Sequence, residues 1–293
     1  MAASWLALVI GNTRLHWGYF DRGLLSRIWH TPHLSEWVVD QIDSQSDWQQ
    51  VWLLIEALTN QLVMPPSLDK SLPIELWLAS VVPSQTRLWT QAIPDIKAVR
   101  RSHIPLKNVY PTLGIDRAIN LLGAKQTLGC PVLVIDSGTA LTLTAGVNSS
   151  VYGGAILPGM KLQLESLGQK TAELGSLLPT VSAIAQLQQD QPSETPPEER
   201  PKELPEKLPE RWASNSGGAI ASGIAYGLVS TCIDYITDWW QRFPTGAVVC
   251  TGGDGLLIHQ YLQQRTPEIA SRVLVDSDLM FRGMQAYRSE LTM

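Results

Sequence analysis

The sequence predicts an α/β protein of two similar lobes, from three observations. Apolar, β-like runs alternate with helical stretches along its 293 residues. Two of those runs end alike: Leu6-Ala7-Leu8-Val9-Ile10 enters Gly11-Asn12-Thr13, and Val132-Leu133-Val134-Ile135 enters Asp136-Ser137-Gly138-Thr139. The length, with a hydrophobic content of 44%, suits two medium domains that each bury a core. A glycine at such a turn lets backbone N–H groups close on a phosphate, while the neighbouring hydroxyl or amide donates from its side chain. Found twice, with apolar or Thr-rich strands following, the device points to two lobes closing on one nucleotide.

In the first lobe, residues 5–29 read as a β-hairpin and 35–60 as a helix, and 75–82 form a strand that Pro83 ends. A helical segment then runs to about residue 92, and a connector passes Val109-Tyr110-Pro111 to reach Gly114-Ile115-Asp116-Arg117. The expected division falls there, giving lobes 1–112 and 113–293. The second lobe starts with a short helix over 118–127 and continues with strands at 131–135, 139–145 and 151–157. An amphipathic helix over 160–174, a longer one over 217–242 and a strand at 247–250 follow, the last ending in Thr251-Gly252-Gly253-Asp254. Residues 186–211 carry Pro192, Pro196, Pro197, Pro201, Pro205 and Pro209 among Gln, Glu and Lys. Such a stretch buries too little to offset its ordering entropy and reads as a mobile surface insertion, with a docking tail as the alternative.

Charge and composition exclude several roles. The net charge is −5 and no stretch concentrates Lys and Arg, so nucleic acid is not an expected partner. No apolar run in the sequence reaches the roughly 18–20 residues that cross a bilayer, and the N-terminus lacks the flank and cleavage site of a signal peptide. Neither membrane nor export is expected, and the cytoplasm follows. Cys130, Cys232 and Cys250 are far apart in apolar surroundings and read as reduced core residues. The 11 tryptophans read as packing. His16, between Leu15 and Trp17 near the first turn, can face a nucleotide, although a plain strand position is the simpler reading.

Phosphoryl transfer asks for a phosphate cradle, a metal held by a carboxylate, and a base or orienting group on the acceptor hydroxyl. Gly11, Asn12, Thr13 and Arg14 make one cradle and Gly138 with Thr139 the other, while Gly252 and Gly253 allow adenine and ribose to approach. Each turn alone reads equally as an ordinary β-turn. Asp136 ends a buried strand, where a carboxylate is costly without a cation, so metal binding is favoured over a capping role. Asp116 beside Arg117 reads as an ion pair, a helix cap or a catalytic group.

These units together resemble the type III pantothenate kinases. The resemblance runs through Gly11-Asn12-Thr13, Ser80-Val81-Val82-Pro83, Leu113 to Arg117, Asp136 to Ala140, Gly153 to Gly159, Ser216 to Gly223 and Thr251-Gly252-Gly253. It implies the duplicated ribonuclease H-like fold of the actin, sugar-kinase and heat-shock ATPase superfamily, with a nucleotide cleft between lobes, and a homodimer. It implies an ATP-dependent phosphorylation of pantothenate, with Mg²⁺ and a monovalent cation, K⁺ or NH₄⁺. Asp116 then matches the base that accepts the pantothenate hydroxyl proton; Gly114, Ile115, Arg117 and, less directly, Tyr110 match substrate contacts. Asp136 matches the monovalent-cation ligand and Thr139 a nucleotide contact, and Ser216 stands where the family generally has a substrate-contacting Thr.

One position departs from that pattern. The family carries Asp two residues before the first glycine, where this chain has Val9, and a valine cannot ligate Mg²⁺. The rival reading is therefore a catalytically weak or silent relative with a regulatory or accessory role. A sugar kinase or phosphatase of the same superfamily fits the two turns but not Gly114-Ile115-Asp116-Arg117.

Overall fold

A computed structural model of the protein describes residues 4–33, 35, 75–93, 95–170 and 207–292, and elements are numbered within those residues. The chain forms two compact units, the first of residues 1–126 with 280–293 and the second of residues 127–279.

In the first unit β1 (Trp5–Ile10), β2 (Leu15–Asp21), β3 (Leu24–Thr31), β4 (Glu75–Ser80) and β5 (Lys97–Ala98) form one sheet in the order β3-β2-β1-β4-β5. β1 runs antiparallel to β2 and parallel to β4. Every residue of β1 is buried, as expected of a central strand covered on both faces. On one face Leu6, Leu8, Ile10, Leu15 and Trp17 pack with Trp89 from α1 (Pro83–Ala92). The expected hairpin over 5–29 is a three-stranded meander instead, because Arg22 and Gly23 both take positive φ, a two-residue turn suited to the twist of a hairpin. Among the described tryptophans most are packing residues, Trp17 stacking on Trp29 at 5.9 Å and meeting Trp89 edge-on at 5.5 Å, whereas Trp212 is exposed, against the packing expected from sequence.

The second unit repeats that order. β6 (Val132–Ser137), β7 (Ala140–Val147), β8 (Ser150–Pro158), β9 (Ala247–Thr251) and β10 (Val273–Val275) lie as β10-β9-β6-β7-β8. Strands β8, β7 and β6 are antiparallel neighbours while β6, β9 and β10 are parallel, which matches the first sheet strand for strand. Both sheets place a three-stranded meander first and add the later strands by crossover on the other side of the first strand. The α/β class and the duplicated ribonuclease H-like fold therefore hold.

Helices α2 (Ile115–Leu128), α3 (Met160–Lys170), α4 (Ser216–Arg242), α5 (Gly255–Arg265), α6 (Pro267–Ala270) and α7 (Leu279–Thr292) complete the described elements. Leu133, Ile135, Leu141 and Leu143 form the second core with Ile224, Leu228, Val229 and Ile236 of α4 and Leu257 and Ile258 of α5. Cys232 and Cys250 lie in it as free thiols, and burial pushes Cys232 up to about 12. Contrary to the expectation from sequence, α4 is long and apolar enough, by length and composition, to cross a membrane. Its apolar face is part of the second core, which accounts for that composition in a core helix.

The division at 112/113 expected from sequence differs from the one observed, which falls after Gln126. Packing within the first unit accounts for both ends: α7 lies against α2, where a Cβ on Gly283 would come within 2.0 Å of the Ile119 carbonyl oxygen, and against the first sheet, where Phe281 lies so close over Gly18 that a Cβ there would come within 2.6 Å of the ring. Tyr287 meets Trp77 edge-on at 5.9 Å, and Arg288 pairs with Glu75 at 2.7 Å. The helix expected at 35–60, the end of the one expected at 160–174, and all of the 186–211 insertion before residue 207 lie outside the described residues.

Candidate active site

The first turn follows β1. Gly11 N–H donates to the Arg14 carbonyl at 3.0 Å, closing the loop so that Asn12 and Thr13 are exposed at its tip. Gly11 has no positive φ, and a Cβ there would make only ordinary contacts, 3.5 Å from the Arg14 carbonyl and from His16 Nε2. The His33 ring donates from Nε2 to the Gly11 carbonyl at 2.7 Å. Behind the turn, His16 and His30 bring their Nδ1 atoms to 3.0 Å. Burial, followed by the neighbouring His30 and Arg14 charges, holds His16 down at about 3.

Beside this turn β4 ends in Ser80-Val81-Val82-Pro83. Val81 N–H donates to the Ile10 carbonyl at 3.1 Å, which ties the end of β4 to the residue before Gly11. The Ser80 hydroxyl accepts from Val82 N–H at 3.1 Å, a tight polar turn that lets Pro83 start α1, where its missing N–H is no loss.

The loop before α2 holds the expected substrate residues together. The Gly114 carbonyl accepts from Ala118 N–H at 3.1 Å, so α2 starts earlier than the 118–127 expected and carries Asp116 and Arg117 in its first turn. Asp116 Oδ1 accepts from the Arg117 N–H at 2.8 Å. That carboxyl lies 2.3 Å from where a Cβ on Gly114 would sit, so any larger residue there would displace the Asp116 side chain. Burial raises Asp116 above the usual carboxylate range, against the lowering pull of the Arg117 N–H and charge. Arg117 is buried, and its Nη1 donates to the Tyr110 hydroxyl at 3.2 Å. Gly114 and Ile115 share a pocket of about 500 Å³ with Ser80, Val81, Arg87 and Arg101. The two arginines were not found by sequence reasoning, since no motif sets them apart from other surface cations.

In the second unit Gly138 N–H donates to the Ala140 carbonyl at 3.0 Å, closing the second turn with Thr139 exposed. A Cβ on Gly138 would meet open space. The end of β8 comes back onto this turn: Gly159 N–H donates to the Thr139 carbonyl at 3.0 Å, and a Cβ on Gly159 would lie 2.0 Å from the Gly138 carbonyl oxygen. The Gly153-to-Gly159 motif is therefore explained at its last residue by close backbone approach.

Asp136 precedes the turn, paired across the sheet with Thr142 on β7 and Thr251 on β9. Gly252 has φ +84°, and a Cβ there would lie 2.3 Å from Asp136 Oδ1 and 2.4 Å from the Ser137 carbonyl oxygen. The same carbonyl accepts from Asp254 N–H at 2.9 Å, so the Thr251-to-Asp254 turn wraps onto the second phosphate turn. Gly253 faces open space. The Thr142 hydroxyl is buried without a hydrogen-bond partner among the described residues. Ser216 is exposed in the first turn of α4, whose cap is Asn215, accepting from Gly218 N–H at 2.8 Å. Asp116 with its loop and the first turn thus belong to one unit, and Asp136, the second turn, Gly252 and Ser216 to the other.

Comparison with known proteins covers most of the chain. A family described as type III pantothenate kinase matches residues 5–238. A type III pantothenate kinase of Nostoc is 41% identical over 283 residues, covering 96% of this chain and 93% of its own. One from Synechocystis is 38% identical with 96% and 89% covered. Among solved structures, a Baf family transcriptional activator from Campylobacter jejuni superposes with a TM-score of 0.54 at 16% identity, covering 98% of each chain, a likeness of fold.

Proposed function

We propose that this chain, which belongs to the type III pantothenate kinase family, transfers the γ-phosphate of ATP to pantothenate and yields 4′-phosphopantothenate, the first step of coenzyme A biosynthesis. The observation that carries the proposal is the placement of Asp116. It stands in the first turn of α2, pressed against Gly114, and its loop lines a pocket of about 500 Å³. A carboxylate whose burial raises its pKa is a better proton acceptor than a solvated one, which suits it to take the proton of an attacking hydroxyl. Gly114, Ile115, Arg117 and Tyr110 hold pantothenate, and the Arg117–Tyr110 pair supplies N–H and O–H donors for its polar groups. Gly11 to Arg14 and Gly138 with Thr139 take the phosphates, Gly252 and Gly253 the nucleoside, and the exposed Ser216 hydroxyl a further substrate contact.

Bound to the phosphates, Mg²⁺ would neutralise charge as the γ-phosphoryl group leaves. The protein offers it little, since Val9 fills the family's carboxylate position and the described residues hold no cluster of three His, Cys, Asp or Glu. For a monovalent cation the donors fit better: Asp136 supplies a carboxylate and Thr142, across from it, a hydroxyl with no other partner among the described residues. A cytoplasmic homodimer completes the reading that the resemblance implies. The rival, a silent relative, gains no support from the family match. An assay of ADP release coupled to pantothenate tests the proposal. Turnover with pantothenate in preference to sugar hydroxyls is expected, and no turnover, or a sugar preferred, overturns it.

A further inference from the structure

We infer that His16 replaces the missing carboxylate of the first turn and binds the phosphate end of ATP through its Nε2–H; this rests on the kinase reading above. Val9 and Asp136 occupy the same place in the two repeated sheets, two residues before the turn glycine. Asp136 lies opposite Thr142, and Val9 lies opposite His16, so His16 projects on the same face as the side chain it would replace. Its outer nitrogen runs along the turn, 3.5 Å from the position of a Cβ on Gly11.

The inner nitrogen is committed elsewhere. Between the Nδ1 atoms of His16 and His30, 3.0 Å apart, there is room for one proton. When His30 donates it, the proton of a neutral His16 sits on Nε2 and points outward. Nε2 makes no hydrogen bond to the described residues. His33 meanwhile donates to the Gly11 carbonyl, which holds the turn's backbone in place and keeps that acceptor from competing for the His16 proton. Burial beside His30 and Arg14 keeps His16 neutral at physiological pH.

The chemistry of the exchange is consistent with the loss of the acid. A carboxylate at this turn repels a triphosphate unless a divalent ion stands between them, whereas an imidazole N–H donates to a phosphate oxygen directly. His16 therefore removes one of the protein's own demands for Mg²⁺ at the first turn.

The test is calorimetry of the full chain with a non-hydrolysable ATP analogue and with adenosine, with and without Mg²⁺. H16A should weaken the analogue by about tenfold, the range of a hydrogen bond to a charged group, and leave adenosine unchanged. H16Q, which places an amide N–H near Nε2, should recover most of the loss, and equal melting temperatures establish that the variants fold. In ¹⁵N-histidine spectra, His16 Nε2 should stay protonated and shift when the analogue binds. Wild-type affinity in H16A, equal loss for adenosine, or an unprotonated Nε2 on the metal overturns the inference while leaving the kinase reading intact. If the wild-type chain binds neither ligand, the kinase reading fails and His16 has no such role.

Discussion

At the end of its central strand the first sheet carries Val9, 3% exposed between Ala79 and His16, where the second carries Asp136 between Thr251 and Thr142. Strand order and direction are otherwise the same in the two sheets. Both cores are mostly aliphatic, but the first also holds Trp17, Trp29 and Trp89 where the second holds Trp239 among its buried residues. A sheet's topology depends on which positions are apolar, and it tolerates different residues at the one position where its edge meets a ligand. The turn chemistry is thus free to diverge: a neutral His16 beside His30 in the first unit, a carboxylate with hydroxyls in the second.

The largest effect should come from Asp116→Asn, which tests whether proton transfer belongs to the first unit alone. Turnover should fall by roughly two to four orders of magnitude, with nucleotide affinity held by the other groups, as steady-state kinetics and calorimetry would read. Because burial raises Asp116, the acid limb of kcat/KM should lie above the usual Asp range in the wild type. The sign for folding follows: a raised carboxyl favours the folded state below its unfolded pKa and loses that contribution as pH rises, so removing the charge should not lower the melting temperature at neutral pH. Near wild-type turnover in a folded Asn variant would take Asp116 out of the mechanism.

Next come paired glycine changes, one in each unit. Gly252→Ala forces an L residue into φ +84° with a Cβ 2.3 Å from Asp136 Oδ1, and should cost about 1–3 kcal/mol by denaturant unfolding. Gly11→Ala meets only ordinary contacts and should cost less than about 1 kcal/mol. Equal losses would show that neither the positive φ nor the close approach at Gly252 makes glycine necessary there.

Val9→Asp makes the first sheet a chemical copy of the second. With Ala79 on one side and a neutral His16 on the other, the new carboxylate has no cation and should lower stability by about 1–3 kcal/mol without raising turnover. A tenfold gain in Mg²⁺-dependent rate, about 1.4 kcal/mol of transition-state stabilisation, would show instead that the natural site lacks a needed ligand. The smallest effect is expected from salt: replacing Na⁺ by K⁺ or NH₄⁺ at equal ionic strength should raise the rate if Asp136 and Thr142 hold a weakly hydrated cation. Coinciding rates would remove that role from the second unit.

Much of the site was legible because its residues sit in short, local signals. Gly11-Asn12-Thr13 and Asp136 to Thr139 each follow an apolar run, and both turned out to be short strand-to-strand links held by a backbone hydrogen bond from the glycine N–H. Asp116 was legible as a residue, but its helix begins at Ile115, three residues before the start expected from sequence, so that Asp116 stands in the first turn. The glycines at the two turns were read as letting backbone N–H groups close on a phosphate, yet the strict steric requirement falls on Gly159 and Gly252, where backbone groups press in. Those contacts depend on neighbours distant in sequence, and no local pattern records them.

The sequence by itself determined the strands that follow the period of their apolar residues, the two turns, the α/β class and the family likeness, since each is written in neighbouring residues. Only the tertiary structure decided that α7 closes the first unit, that His16 meets His30, and that Gly252 must make room for Asp136. Each of these joins segments whose proximity is set by burial of a shared core, and that non-directional force specifies which surfaces are covered without marking in either segment which partner will cover it.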